Sequence, residues 1–307
     1  MSLNFDCLEE VAEAMTASGK GILAADESTG TIGNRFSQIN TESTFENRNA
    51  YRDLLFSAEG MEHYISGVIL YDETLRQSSL QDNIPYPQYL SNKGVIPGIK
   101  VDMGAHDLPR SDGEKITSGL DGLDERLKEY RKLGARFAKW RAVININDDN
   151  PSGYCISANA HALARYAALC QSNDIVPIVE PEILMNGTHD VDDSFVVTEE
   201  VLHRVFFELY SQGVSLEQMV LKPNMVLSGY DASDRADVDE GLNEWRSRSH
   251  ACIGQAIGAT FRRHGARASC GWYVLLVPHV AQSRPRQHVA KTHGGEQARS
   301  RRRTDRT

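Results

Sequence analysis

The sequence predicts an α/β fold in which repeated β-α units surround a parallel sheet that curls toward a barrel. Three observations carry this prediction. Short apolar runs alternate with helical patterns as far as about residue 240. The segments between the runs place apolar residues three and four positions apart, as helices covering a sheet do. Nearly every run also carries charge near its carboxyl end, where barrel enzymes gather their chemistry.

In chain order, the predicted strands are GILAAD (21–26), SGVILYDE (66–73), VIPGIKVD (95–102), RFAKWRAVI (136–144), IVPIVEPEI (175–183) and MVLKPNMV (219–226). Each is a short apolar run of the kind expected of strands buried on both faces. The segments LDERLKEYRKLG, ISANAHALARYAALCQ and TEEVLHRVFFELYSQG are the predicted covering helices. No internal repeat is present.

With 307 residues, 40% hydrophobic and 24% charged, the chain suits one large domain or two small ones. No run approaches the roughly 18 apolar residues of a membrane span. The start MSLNFDCLEE has neither the basic nor the apolar region of a secretion signal, so a cytoplasmic location and no membrane partner are expected. Cys7, Cys155, Cys170, Cys252 and Cys270 are odd in number and scattered, which predicts reduced thiols. The net charge of −9 hides a break: residues 241–307 hold 13 of the 33 basic and 3 of the 42 acidic residues, net +10 against −19 before them. The chain therefore divides into residues 1–240 and an arginine-rich tail, 241–307.

Lys222 stands alone inside an apolar run and is followed by Pro223. A lysine so placed is paired, functional or at the end of its strand. Lys100 with Asp102, Lys139 with Arg141, and Glu180 with Glu182 are i, i+2 pairs, so each points two charges to one face of its strand. Any one pair is explained by a structural ion pair; the repetition over five or six strands favours a shared site. Desolvation and nearby positive charge free a lysine amine to attack a carbonyl and form a Schiff base. Lys139 would raise the local positive potential, Glu180 would move protons, and Asp26 would supply a base. A second cation also suits an anionic substrate such as a sugar phosphate, with Ser28, Thr31 and Arg35 as an anchor after the first strand.

The segments GKGILAADESTGTIGNRF, ENRNAYR, GVILYDETL, GIKVDMG, FAKWRAVI, IVEPEIL and LKPNM together closely resemble class I fructose-bisphosphate aldolase, in order and at family spacing. The resemblance implies a (β/α)8 TIM barrel and a homotetramer. It also implies reversible cleavage of fructose 1,6-bisphosphate to dihydroxyacetone phosphate and glyceraldehyde 3-phosphate, with no cofactor and no metal. By the same resemblance Lys222 forms the Schiff base, Glu180 is the principal proton acceptor and donor, and Lys139 and Asp26 assist. Glu182, Glu27 and Arg141 match positions lining the active site. Ser28, Thr31 and Lys100 match the pocket for the C6 phosphate, and Arg35 and Arg48 match other substrate contacts.

The resemblance stops near residue 240. The Ser-Gly-Gly-Gln and Ser-Tyr-Gly-Arg segments that hold the C1 phosphate in the family are not found, nor is its terminal tyrosine, and Asn34 stands where the family often has lysine. Six strands of eight predict an incomplete barrel with unpaired edges, impaired turnover and a doubtful tetramer. GWYVLLVPHV (271–280) is a candidate substitute strand, and a shifted reading frame would explain the tail. Two other readings are a catalytically inactive aldolase-like protein and nucleic-acid binding through the tail arginines. The tail lacks any recognised nucleic-acid motif, and His250, Cys252, His264 and Cys270 fit no metal-site spacing closely.

Overall fold

The protein is described from a computed structural model, which covers residues 3, 5–147, 151–233 and 235. Its strands are β1 (Gly21–Ala25), β2 (Ile65–Leu70), β3 (Ile96–Lys100), β4 (Ala105–Asp107), β5 (Lys115–Thr117), β6 (Phe137–Ile144), β7 (Val176–Ile183) and β8 (Val220–Leu221). Its helices are α1 (Leu8–Met15), α2 (Thr29–Ser37), α3 (Phe45–Phe56), α4 (Asp72–Leu75), α5 (Tyr86–Asn92), α6 (Leu123–Leu133), α7 (Gly153–Gln171) and α8 (Val191–Ser211). Six strands form one sheet in the order β1-β2-β3-β6-β7-β8, and every pairing in it is parallel. These are six of the eight strands of a (β/α)8 barrel, and among the described residues β1 and β8 are the ends of the sheet. The tail 241–307, its candidate strand and its cysteine-histidine group lie outside the described residues.

Alternation of side chains gives each strand two jobs. Ile22, Ile69, Ile96, Phe137, Val176, Ile178 and Val220 form one buried cluster with Val11, Ala12 and Met15 of α1. The opposite faces, including Val68, Leu70, Ile99, Ala138, Trp140, Ala142 and Val179, belong to a larger cluster with the covering helices. Trp140 stacks on Tyr166 of α7 with ring centroids 5.5 Å apart. Burial of each of the valine, leucine, isoleucine, phenylalanine and methionine side chains in these two clusters contributes about 1.5–3 kcal/mol.

The helices begin where the sequence supplies caps. Ser28 accepts from the Thr31 N–H, Thr44 from Asn47 and Ser152 from Cys155, while Asp190 and Asp193 form a reciprocal capping box on α8. Gly134 ends α6 in the left-handed region at φ 112°, a conformation that favours glycine.

Two expectations change. MVLKPNMV is not a strand over 219–226: only Val220–Leu221 qualifies, and the Lys222 N–H makes a last rung to the Val179 carbonyl at 2.9 Å. Pro223 has no N–H, so the ladder stops there. Further on, Gly229 donates to His189, Tyr230 to Met185 and Asp231 to Gly187, pinning this segment to the loop after β7. A Cβ on Gly229 would lie 2.1 Å from the Gly187 carbonyl oxygen, so only glycine permits the approach. The second change is the antiparallel pair β4-β5, which the sequence did not announce. Thr117 at its end donates to the Arg141 carbonyl at 2.7 Å and so braces β6.

Phe137 fits inside the barrel because its neighbours have no side chain. A Cβ on Gly98 would meet the Phe137 ring at 2.2 Å, and that ring is completely buried. Gly98→Ala should therefore destabilise the protein by about 2 kcal/mol through overpacking, measured by urea unfolding. Gly30→Ala is the contrast: it sits in α2 with nothing near its Cβ position, and should be neutral or stabilising by about 0.5–1 kcal/mol. Equal stability of Gly98→Ala and the parent would contradict this packing.

Candidate active site

Above the apolar layer, the same inward-facing rows turn charged. Asp26 follows β1, Lys100 ends β3, Lys139 lies on β6, Glu180 on β7, and Lys222 follows β8. Register brings them together: Lys100 is the cross-strand partner of Lys139, and Val179 pairs with Leu221, so the next step sets Lys222 beside Glu180. Lys139 Nζ donates to Asp26 Oδ2 at 3.1 Å and lies 3.4 Å from Glu180 Oε2. Lys222 Nζ donates to the other Glu180 oxygen, Oε1. The result is an unbroken chain, Asp26–Lys139–Glu180–Lys222.

Burial differs along that chain. The Glu180 side chain is 3% exposed and that of Lys139 11%, whereas Lys222 reaches 20%. Lys222 is thus the member most open to a reactant. Burial by itself works against the Lys139 ammonium, but Asp26, Glu180 and Asp102 outweigh it and hold the Lys139 pKa above the ordinary lysine value. Lys139 therefore remains a fixed cation through the neutral range. Asp102 is paired with Lys100 at 3.0 Å, and its buried Oδ2 has no hydrogen bond. With it, three carboxylates meet three ammonium groups in this layer.

The remaining predicted residues form a rim. Arg141 Nη1 donates to Glu182 Oε2 at 2.8 Å. Ser28 and Thr31 hydroxyls are 3.0 Å apart at the start of α2. Glu27 accepts from Arg35 at one oxygen and from Arg52 at the other. Arg48 stands apart from these contacts: its Nε and Nη2 each donate to Glu73 at 2.7 Å, and its third nitrogen donates to the Ser43 carbonyl. Its fork is filled by Glu73 of α4, the short helix after β2, and by the loop before α3.

Three residues of this region were missing from the predicted site: Arg52, Asp102 and Glu73. Asp102 and Glu73 carried a signal, as charges closing the third and second predicted strands. Arg52 carried a weaker one, since ENRNAYR puts it four residues after Arg48 on one face of α3.

A family profile described as class-I fructose-bisphosphate aldolase, glycolytic, matches residues 7–244. The chain belongs to the class I fructose-bisphosphate aldolase family. A probable class 1 aldolase from Xylella fastidiosa is 56% identical over 238 residues, which are 78% of this chain and 71% of the relative. Fructose-bisphosphate aldolase 1 of Toxoplasma gondii is 54% identical over 235 residues, 76% of this chain and 64% of its own. Among solved structures, an aldolase from Plasmodium falciparum superposes with a TM-score of 0.78 at 47% identity, over 81% of this chain and 72% of that one. The expectation of impaired turnover rests on positions after 240, outside the described residues. No described helix is long and apolar enough to cross a membrane.

The charge layer predicts a pH-dependent cost of removing its central cation. Lys139 has a folded pKa above its unfolded value, so its pairing is fully present below about pH 10.4 and fades only as pH rises beyond it. Lys139→Met leaves its carboxylate partners without that cation and should cost about 3–5 kcal/mol at pH 7. In urea unfolding the deficit should be the same at pH 7 and pH 9 and shrink only above about pH 10.4, where the Lys139 contribution of the parent begins to fade. A deficit that disappears between pH 7 and pH 9 would contradict the electrostatic origin.

Proposed function

We propose that this chain catalyses reversible aldol cleavage of fructose 1,6-bisphosphate, with Lys222 as the Schiff-base amine and Glu180 as its proton-transfer partner. The observation that carries the reading is the chain of contacts from Asp26 through Lys139 and Glu180 to Lys222. Glu180 touches the amine that would attack and is held on its other side by an ammonium that stays charged.

The Lys222 nitrogen adds to the C2 carbonyl of the open-chain ketose, and the carbinolamine loses water to leave a protonated imine. Glu180 supplies the proton for the departing hydroxyl. The C3–C4 bond then breaks: its electron pair moves into the imine to give an enamine, while a carboxylate takes the C4 hydroxyl proton. Glyceraldehyde 3-phosphate leaves, C3 regains a proton, and water returns the ketone and the free Lys222. The Lys139 cation stabilises negative charge as it develops on oxygen, and Asp26 orients Lys139.

The rim supplies binding. Ser28 and Thr31 at the α2 start and Lys100 on β3 suit one phosphate, with Arg35 and Arg141 as further cations near the mouth. Glu182 would steer Arg141, Glu27 would steer Arg35, and Arg48 would act through its grip on Glu73. The substrate pool and the free thiols of Cys155 and Cys170 fit a cytoplasmic setting.

Borohydride reduction in the presence of dihydroxyacetone phosphate, read by peptide mass spectrometry, should place the adduct on Lys222 and none on Lys222→Met. Glu180→Gln should still form the adduct but lower kcat by about 10²–10⁴-fold, the usual span for a positioned proton-transfer group. Labelling of a different lysine would refute the assignment.

A further inference from the structure

Glu27 lies at the start of the loop between β1 and α2, and its two arginine partners are unlike each other. Arg35 is on the α2 surface with a side chain 56% exposed; Arg52 is on α3 with a side chain 2% exposed. Arg52 grips Glu27 twice, giving one hydrogen bond to the carboxylate and one, 3.0 Å long, to the main-chain carbonyl. Its guanidinium carbon also lies 5.3 Å from the centre of the Tyr51 ring, whose hydroxyl accepts from Arg35 at 3.4 Å. Among the described residues, Arg35 has only the carboxylate and that long contact.

We propose that Arg52 is a positioning residue: it is the permanent partner of Glu27, which lets Arg35 leave Glu27 and turn to a phosphate of the substrate. The inference rests on the reading above that Arg35 contacts substrate. Its physical basis is the cost of stranding a charge. The Glu27 side chain is 10% exposed, and a carboxylate so nearly buried must keep a cation. If Arg35 were its sole partner, each substrate-binding event would have to break that pair and leave Glu27 unmatched. With Arg52 in place, Glu27 keeps a charged partner and its carbonyl stays anchored when Arg35 departs. Arg52 itself is too buried to reach a ligand, and its grip on the backbone also fixes the Asp26–Ser28 turn.

The test is a set of KM and kcat measurements with fructose 1,6-bisphosphate. Arg52→Met removes the permanent partner and ties Arg35 to Glu27, so KM should rise at least about tenfold, equivalent to roughly 1.4 kcal/mol, with a smaller change in kcat. Glu27→Gln added to Arg52→Met removes the charge that holds Arg35 and should return KM toward that of Glu27→Gln alone. A purely structural role predicts the opposite, with the two substitutions additive and thermal stability tracking KM. Should Arg52→Met fail to fold, Arg52→Lys with and without Glu27→Gln provides the same comparison, with a smaller rise. An Arg35→Met control separates the two readings. If it leaves KM unchanged, the substrate contact of Arg35 is wrong. If it raises KM while Arg52→Met does not, or if Glu27→Gln fails to suppress Arg52→Met, the positioning role is wrong.

Discussion

The sharing of the Glu180 carboxylate between two ammonium groups organises the upper half of this structure. Inside a barrel, each of these charges alone would cost several kcal/mol to bury. Lys139 on one side and Lys222 on the other meet that cost together, and Asp26 completes the series. The arrangement gives the two lysines different roles. Lys139 is enclosed by carboxylates and held charged, which makes it a poor nucleophile and a good fixed cation. Lys222 has a carboxylate contact with Glu180 alone among the described residues and the more open side chain, which suits the Schiff-base role proposed for it.

The charged layer depends on the apolar layer beneath it. Phe137 and Lys139 are two residues apart on β6, so the position of the ring fixes the lysine directly above it. The ring in turn needs the bare backbone of Gly98 and lies close over Gly67. Packing at the floor of the barrel therefore sets the register of the chemistry above. The same holds at the rim, where Thr117 braces the end of β6 and Arg52 braces the turn after β1.

Much of this was legible in the sequence, for identifiable reasons. The parallel strands were visible because burial on both faces makes them nearly continuous apolar runs. That signal also misled: MVLKPNMV is apolar beyond residue 221 because it packs, not because it pairs, and Pro223 was the sign that the ladder had ended. The pair β4-β5 was invisible because three-residue strands, one of them exposed throughout, are too short to show a periodicity. Lys139 and Glu180 were recognisable from the i, i+2 charges on their strands. Their contact with each other was not, since it depends on register between strands. Arg52 was the hardest to find: it is on α3, and its partner Glu27 lies 25 residues away in the turn before α2.

The most direct test of this electrostatic account is the titration of Lys139 itself. With 15N-labelled lysine and the Lys139→Arg variant for assignment, the Lys139 ammonium resonance can be followed from roughly pH 6 to 11. The account predicts that Lys139 remains charged across that range, beyond the ordinary lysine midpoint, because burial is outweighed by Asp26, Glu180 and Asp102. A Lys139 that loses its proton below about pH 10.4 would contradict it, since desolvation would then dominate and the charge layer could not be the constraint on which the site is built.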